Sequence, residues 1–245
     1  MSPQKPKVAG IIAIGNEILS GKVTDLNATH LIQQFRELGV EAKRVAIIPD
    51  EIPVIRDQVR EFSASFDIVI TTGGVGPTHD DVTIEAIAAA FNRPIVPSPE
   101  LEAVIREYFK DDFKDAWLRM ARIPEGTELV WRDGMPFPIT KLENVWILPG
   151  EPSVMRKKFA AIREDFRQTP IHVRRLFTTW EEGDLAELLE KLEAETGVAI
   201  GSYPTYEDRD YKVMITLESR DAKILESATR RLRCSIPREL LVRED

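Results

Sequence analysis

Cysteine is all but missing from this chain: Cys234 is the only one in 245 residues. A lone thiol excludes an internal disulfide and any Cys-based metal cluster, a pattern that fits a reducing compartment. Histidine is nearly as scarce. His30, His79 and His172 lie far apart in sequence, so a zinc site of the His/Cys type is not expected. No apolar run approaches the roughly 20 residues of a membrane-spanning helix. The opening "MSPQKPK" lacks the apolar core of a signal peptide, so the cytoplasm is the expected location and no membrane partner is expected. Positive charge is in deficit, 33 Lys and Arg against 41 Asp and Glu, for a net charge of −8. That balance argues against nucleic acid or an anionic membrane surface as a partner. What is present, 43% hydrophobic and 30% charged residues, suits one large domain or one domain with a smaller companion.

Strand-like runs alternate with helical patterns through the first two thirds. "VAGIIAIG" (8–15), "AKRVAIIP" (42–49) and "DIVITT" (67–72) are continuous and apolar, and patterns over 25–38, 51–63 and 80–91 are amphipathic. Apolar strands alternating with amphipathic helices predict a doubly wound, mostly parallel α/β sheet covered on both faces. In the first helix Leu31, Ile32, Phe35 and Leu38 form one stripe, Asp25 is placed to cap the start and Gly39 to end it. A long helical pattern over about 98–121, strands in "TELVW" (127–131) and "NVWILPG" (144–150), and a helix near 152–166 complete a domain of residues 1–167. After "RQTP" (167–170) the alternation is lost. The remaining 168–245 predict β-α-β-β-α, most of a ferredoxin-like α+β layer, with Leu185, Leu188, Leu189 and Leu192 as a packing stripe.

Ligands of open α/β sheets bind beyond the carboxyl ends of the strands, so the loops after strands are the candidate site. "IGNEILSGK" (14–22) is not a phosphate-binding P-loop: the span from Gly15 to Gly21 is one residue too long, Val23 stands where Ser or Thr is needed, and Glu17 would repel phosphate. Glu17 is either a capping or solvated carboxylate or a site acid. In "TTGGVGPTHDD" (71–81), Gly73, Gly74 and Gly76 let backbone N–H groups approach an anion. Adjacent Asp80 and Asp81 repel each other, and two readings stand. Either Asp80 caps the next helix and Asp81 is solvated in its first turn, or a hard cation sits with them and with a ligand's phosphates. "LPGEPSVM" (148–155) is a rigid strand-to-helix loop, a structural turn or a ligand wall.

Together "GNEILSGKVTDLN", "IPDE", "TTGGVGPTHDDVTIEA" and "LPGEPSVM" closely resemble the molybdopterin-binding-like domain of the CinA (competence/damage-inducible) family. That domain is shared with molybdenum-cofactor biosynthesis proteins and with the N-terminal half of some eukaryotic FAD synthases. The resemblance runs over roughly 8–167, and "AIGSYP" with a following "Y-x-V" strand extends it. It implies Glu17, Asp50 and Asp81 as catalytic acids holding a divalent cation (Mg²⁺, Mn²⁺ or Co²⁺). It places Gly15, Asn16, Asn27, Gly73, Gly74, Gly76, Thr78, Pro149, Gly150, Pro152 and Ser153 around a small phosphorylated ligand, an adenine dinucleotide or a pterin. It implies a metal-dependent pyrophosphatase acting on ADP-ribose, FAD or a related dinucleotide, in a homo-oligomer. The alternative is a non-catalytic molybdopterin- or nucleotide-binding module linked to molybdenum cofactor biosynthesis. CinA proteins proper continue into a nicotinamide-mononucleotide amidohydrolase domain, for which this length leaves no room, so that activity is not expected. "RDGMPFPIT" (132–140) replaces the family's "N-P-x-G-x-A-P-G" segment, and Glu151 stands where valine is usual.

Overall fold

Ile11 and Ile12 are neighbours in one strand and both are fully buried, yet they belong to two different cores. Successive side chains of a strand point to opposite faces, so a strand apolar at every position must be covered twice. The computed structural model describes residues 6–207 and 210–245. The chain divides into two units, Met1–Gln168 and Thr169–Asp245.

The first unit contains, in order, β1 (Val8–Ile14), α1 (Asn16–Leu19), α2 (Asn27–Glu37), β2 (Glu41–Ile48), α3 (Ile52–Ser65), β3 (Ile68–Thr72) and α4 (Thr83–Ala90). There follow β4 (Ile95–Pro97), α5 (Pro99–Phe109), β5 (Arg122–Pro124), β6 (Glu128–Val130), β7 (Ile139–Leu142), β8 (Val145–Leu148) and α6 (Pro152–Ile162). The main sheet has the order β2-β1-β3-β8-β7-β6. β1 runs parallel to β2 and β3, and β3 parallel to β8, whereas β7 is antiparallel to β6 and β8. On one face Leu31 and Phe35 of α2 and Phe159 and Ile162 of α6 cover Ile11 and Ile70. On the other, Ile55, Val59 and Phe62 of α3 and Ile87 of α4 cover Ile12, Val69 and Ile147. Asp25 caps α2 by accepting from the N–H groups of Asn27 at 2.9 Å and Ala28 at 3.1 Å.

Three expectations for this unit need correction. Ile32, read as part of the apolar stripe of α2, is 41% exposed. The helix read over 98–121 stops at Phe109, and 3₁₀ turns cover Lys110–Asp112 and Asp115–Ala121. Phe109, Phe113 and Trp117 recur at helical spacing, but they pack into a separate small cluster with Leu101 and Ile105. Phe109 and Trp117 stack at 4.2 Å, and the chain folds back to allow it. The helix read over 80–91 starts only at Thr83, which leaves Asp80 and Asp81 in the loop before it.

The second unit is β9 (His172–Thr178), α7 (Glu182–Thr196), β10 (Ala199–Pro204), β11 (Val213–Ser219), α8 (Ala222–Ser235) and β12 (Leu241–Glu244). Its sheet is antiparallel in the order β10-β11-β9-β12. Leu185, Leu189 and Leu192 of α7 are buried and Leu188 partly so, with Leu225 and Leu232 of α8 in the same core. The β-α-β-β-α expectation lacks β12, the edge strand that completes the split βαβ pattern. "LVRE" is too short to display alternation; what holds it is pairing with β9 and Arg243 lying 4.0 Å over the Phe177 ring. Among the described residues no helix is long and apolar enough to cross a membrane.

Candidate functional site

Because β1, β2, β3 and β8 run parallel, the loops that leave them emerge along one edge of the sheet, where ligands of such folds bind. There they line a cleft of about 430 Å³. Its walls include the acids Glu17 (after β1), Asp50 (after β2), Asp80 and Asp81 (after β3) and Glu151 (after β8).

The floor is a contact between two loops that only glycine permits. Gly73 has φ +101°, and a Cβ there would lie 2.1 Å from the carbonyl oxygen of Ile14. A Cβ on Gly150 would lie 3.1 Å from the Cα of Gly73. The Thr83 hydroxyl donates to the Gly73 carbonyl at 2.9 Å, and Asn27 Nδ2 donates to the Gly150 carbonyl at 2.7 Å, so both loops are pinned from beneath. Asp50 and Asp81 close on the same glycine turn. Asp50 Oδ1 lies 3.4 Å from where a Cβ on Gly74 would stand, and Asp81 Oδ2 2.7 Å from where one on Gly76 would.

The paired aspartates meet at one hydroxyl. Thr78 Oγ1 lies 2.6 Å from Asp80 Oδ1 and 2.5 Å from Asp81 Oδ2, and the Thr78 N–H also donates to Asp81 Oδ2 at 2.8 Å. The Thr78 hydroxyl, followed by the Asp80 N–H, holds the Asp80 carboxyl below its usual range. A hydroxyl carries one proton and serves one carboxylate at a time. Neither aspartate caps α4, contrary to the structural reading of this pair; no side chain does. A cation does approach from the 3₁₀ turn: Arg119 donates to the Asp81 carbonyl at 3.1 Å and pairs with Glu85 at 3.4 Å. Arg119 and Met120, which also lines the cleft, carry no sequence signal because their segment reads as helix.

Of the residues read from sequence as site residues, Glu17, Asp50, Asp81, Gly73, Gly74, Gly76, Pro149 and Gly150 line the cleft. Gly15, Asn16, Asn27, Thr78, Pro152 and Ser153 do not, and several have structural work instead. The Asn16 N–H donates to Asp50 Oδ2 at 2.8 Å, Asn27 is buried beneath the Gly150 loop, and Pro152 is the first residue of α6. Ser153 donates to Glu151 at 2.6 Å, and Glu151 caps α6 by accepting from the Val154 N–H at 2.7 Å. Those two bonds, the hydroxyl first, hold the Glu151 carboxyl below its usual range. The Gly73 N–H, read as part of an anion cradle, donates to Leu148 at 3.2 Å; among the described residues no backbone carbonyl takes the N–H groups of Gly74, Val75 or Gly76.

Among the described residues no three His, Cys, Asp or Glu side chains converge on a point that one metal ion could occupy. A cage built by Glu17, Asp50 and Asp81 together is therefore not formed. A Mg²⁺-like ion needs less, one or two carboxylates with the remaining places taken by phosphate and water. Of the site acids, Asp50 and Asp81 are the two set against the same glycine turn, and they are the pair that would hold such an ion.

A doubly wound sheet with acid-bearing loops on its carboxyl edge, joined to a split βαβ unit, defines a two-part α/β protein with a small-ligand cleft in its first part. Residues 10–168 match the family described as "Probable molybdopterin binding domain", and residues 170–245 match "FAD synthase, middle domain". The chain belongs to this molybdopterin-binding-domain family, and CinA-like proteins are among its relatives. A protein of Archaeoglobus fulgidus is 35% identical over 221 residues, 90% of this chain and 94% of its own length. A "Probable FAD synthase" of Caenorhabditis briggsae is 31% identical over 93% of this chain, which spans 49% of that protein's length. The crystal structure of a CinA protein of unknown function from Thermoplasma acidophilum superposes with a TM-score of 0.60 at 28% identity, covering 66% of this chain and 99% of that one.

Proposed function

We propose that the first unit hydrolyses the pyrophosphate link of a dinucleotide such as ADP-ribose or FAD, with a divalent cation. The observation that carries this reading is the arrangement of Asp50 and Asp81 against the Gly74–Gly76 turn, at the carboxyl edge of a parallel sheet. The N–H groups of Gly74, Val75 and Gly76 would donate to the phosphate oxygens, and Arg119 adds positive charge beside the turn. Asp50 and Asp81 would hold the cation, which when bound neutralises phosphate charge and activates water. Water adds to one phosphorus, the bridging P–O bond breaks, and two phosphomonoesters leave with the released proton taken up by solvent or an exposed carboxylate such as Glu17. Positioning and charge neutralisation suffice for chemistry of this kind.

The test is incubation with ADP-ribose, FAD and NAD, each with Mg²⁺, Mn²⁺ or Co²⁺, and chromatography of the products. Metal-dependent appearance of AMP from at least one substrate is expected; intact substrate under every condition would overturn the reading. A second reading, a pterin- or nucleotide-binding module without turnover, is favoured by one observation: Asp81 is tied into its own turn by two bonds from Thr78. The same experiment decides between the two when ligand binding is measured alongside.

A further inference from the structure

Beside the acidic cleft lies a second cavity of about 420 Å³, inside the size range of small-molecule sites. Val75, Met120 and Pro149 line both spaces, so the two are direct neighbours. Their chemistry is opposite. Ile105 and Ile123, 1% and 8% exposed, form part of an apolar wall, and none of the residues lining this cavity is Asp or Glu. The segment 132–140 contributes Met135, Pro136, Phe137, Pro138 and Thr140 to it. Tyr108 and Phe137 stand edge to face at 4.9 Å, a pair of rings against which a flat group can pack.

The polar groups are few and the charged ones are cations, Lys157 and Lys158. Lys158 Nζ donates to the backbone carbonyls of Pro138 and Phe137. An ammonium has three N–H donors, so one remains for a ligand. Burial lowers its pKa to about 8, so it still carries its charge at neutral pH, in surroundings that disfavour charge. Apolar walls with a cationic donor and no acid suit a flat ring that offers acceptors. A ring bearing carbonyl oxygens satisfies Lys158. Adenine offers it only ring nitrogens and leaves an amine facing apolar wall.

We propose that this cavity is the ring-binding half of the ligand site, that it takes a flat heteroaromatic ring carrying carbonyl oxygens, and that Lys158 selects such a ring over adenine. This rests on the pyrophosphatase reading only in that the adjoining cleft would hold the phosphates of the same ligand.

The probe is riboflavin, which has the carbonyl-bearing ring and no phosphate, with adenosine for comparison. Each is titrated against the full chain in EDTA by fluorescence or calorimetry. Saturable riboflavin binding is expected, with adenosine weaker by about tenfold or more. Val154→Trp, on an exposed part of α6 that lines the cavity, should lower riboflavin affinity by about tenfold, and Lys158→Met should bring the two ligands within about threefold. No riboflavin binding up to its solubility limit, or binding that Val154→Trp leaves unchanged, would overturn the proposal. Riboflavin binding in a protein that cleaves no pyrophosphate refutes the pyrophosphatase and keeps the ring site. Metal-dependent cleavage without riboflavin binding does the reverse.

Discussion

Asp80 and Asp81 are adjacent acids that share one threonine hydroxyl, and one proton cannot satisfy both. A bound cation would remove the repulsion. Asp81→Asn keeps the shape of the side chain and removes its charge, so circular dichroism should be unchanged while metal-dependent turnover is lost; full activity in this variant contradicts the assignment. Lys158 makes an opposite prediction for stability. Its pKa falls from 10.5 in the unfolded chain to about 8 in the folded one, so the charged form opposes folding. At roughly 1.4 kcal/mol per unit, less about 1 kcal/mol for each of the bonds to Pro138 and Phe137, Lys158→Met should raise stability by about 1.5 kcal/mol. The gain is full below pH 8, shrinks as pH rises from 8 to 10.5 because wild type then sheds its penalty, and turns into a small loss above, where only the missing hydrogen bonds count. Chemical denaturation at pH 7 and pH 10 checks both size and sign. Asp81 is flagged in the sequence by the glycine-rich loop that follows a strand, whereas Asp50 enters only through the family resemblance. Glu151 and Asn27 are not legible there, since a helix cap and a pin under a loop use the same residue types as a ligand site, and only the fold shows what each one touches.

Among the elements, the strands β1 and β3 and the helices α2 and α3 are legible because each has one strong period and is buried accordingly. β4, β5 and β7 are not: three or four residues cannot display alternation, and their pairing partners alone define them. The segment after α5 misleads through aromatic residues at helical spacing that pack as a cluster instead. The loop after β3 depends on its backbone more than on its side chains. Gly73→Ala must push against the Ile14 carbonyl at 2.1 Å from a left-handed conformation, and should cost about 2 kcal/mol or more in thermal or urea unfolding. A variant as stable as wild type would show that Gly73 does not pack against the end of β1 as described.

For the whole molecule, the change from strand-helix alternation to an α+β pattern is readable at "RQTP", because a parallel sheet and an antiparallel one require different connections. The acids and the glycine turn all lie in Met1–Gln168, which has its own cores on both faces of its sheet. A chain ending at Gln168 should fold and keep ligand affinity within about threefold of the full chain. Loss of binding from a folded truncation would point to a contribution from the second unit. Metal dependence of binding separates the proposed enzyme from a simple binding module. Acids around one cleft repel a pyrophosphate by about 1 kcal/mol per close pair in water, and by more in a drier site. The decisive measurement is calorimetric titration of ADP-ribose into the protein with Mn²⁺ and again in EDTA. A metal-centred site predicts appreciable binding only with the cation, and equally tight binding in EDTA would contradict it.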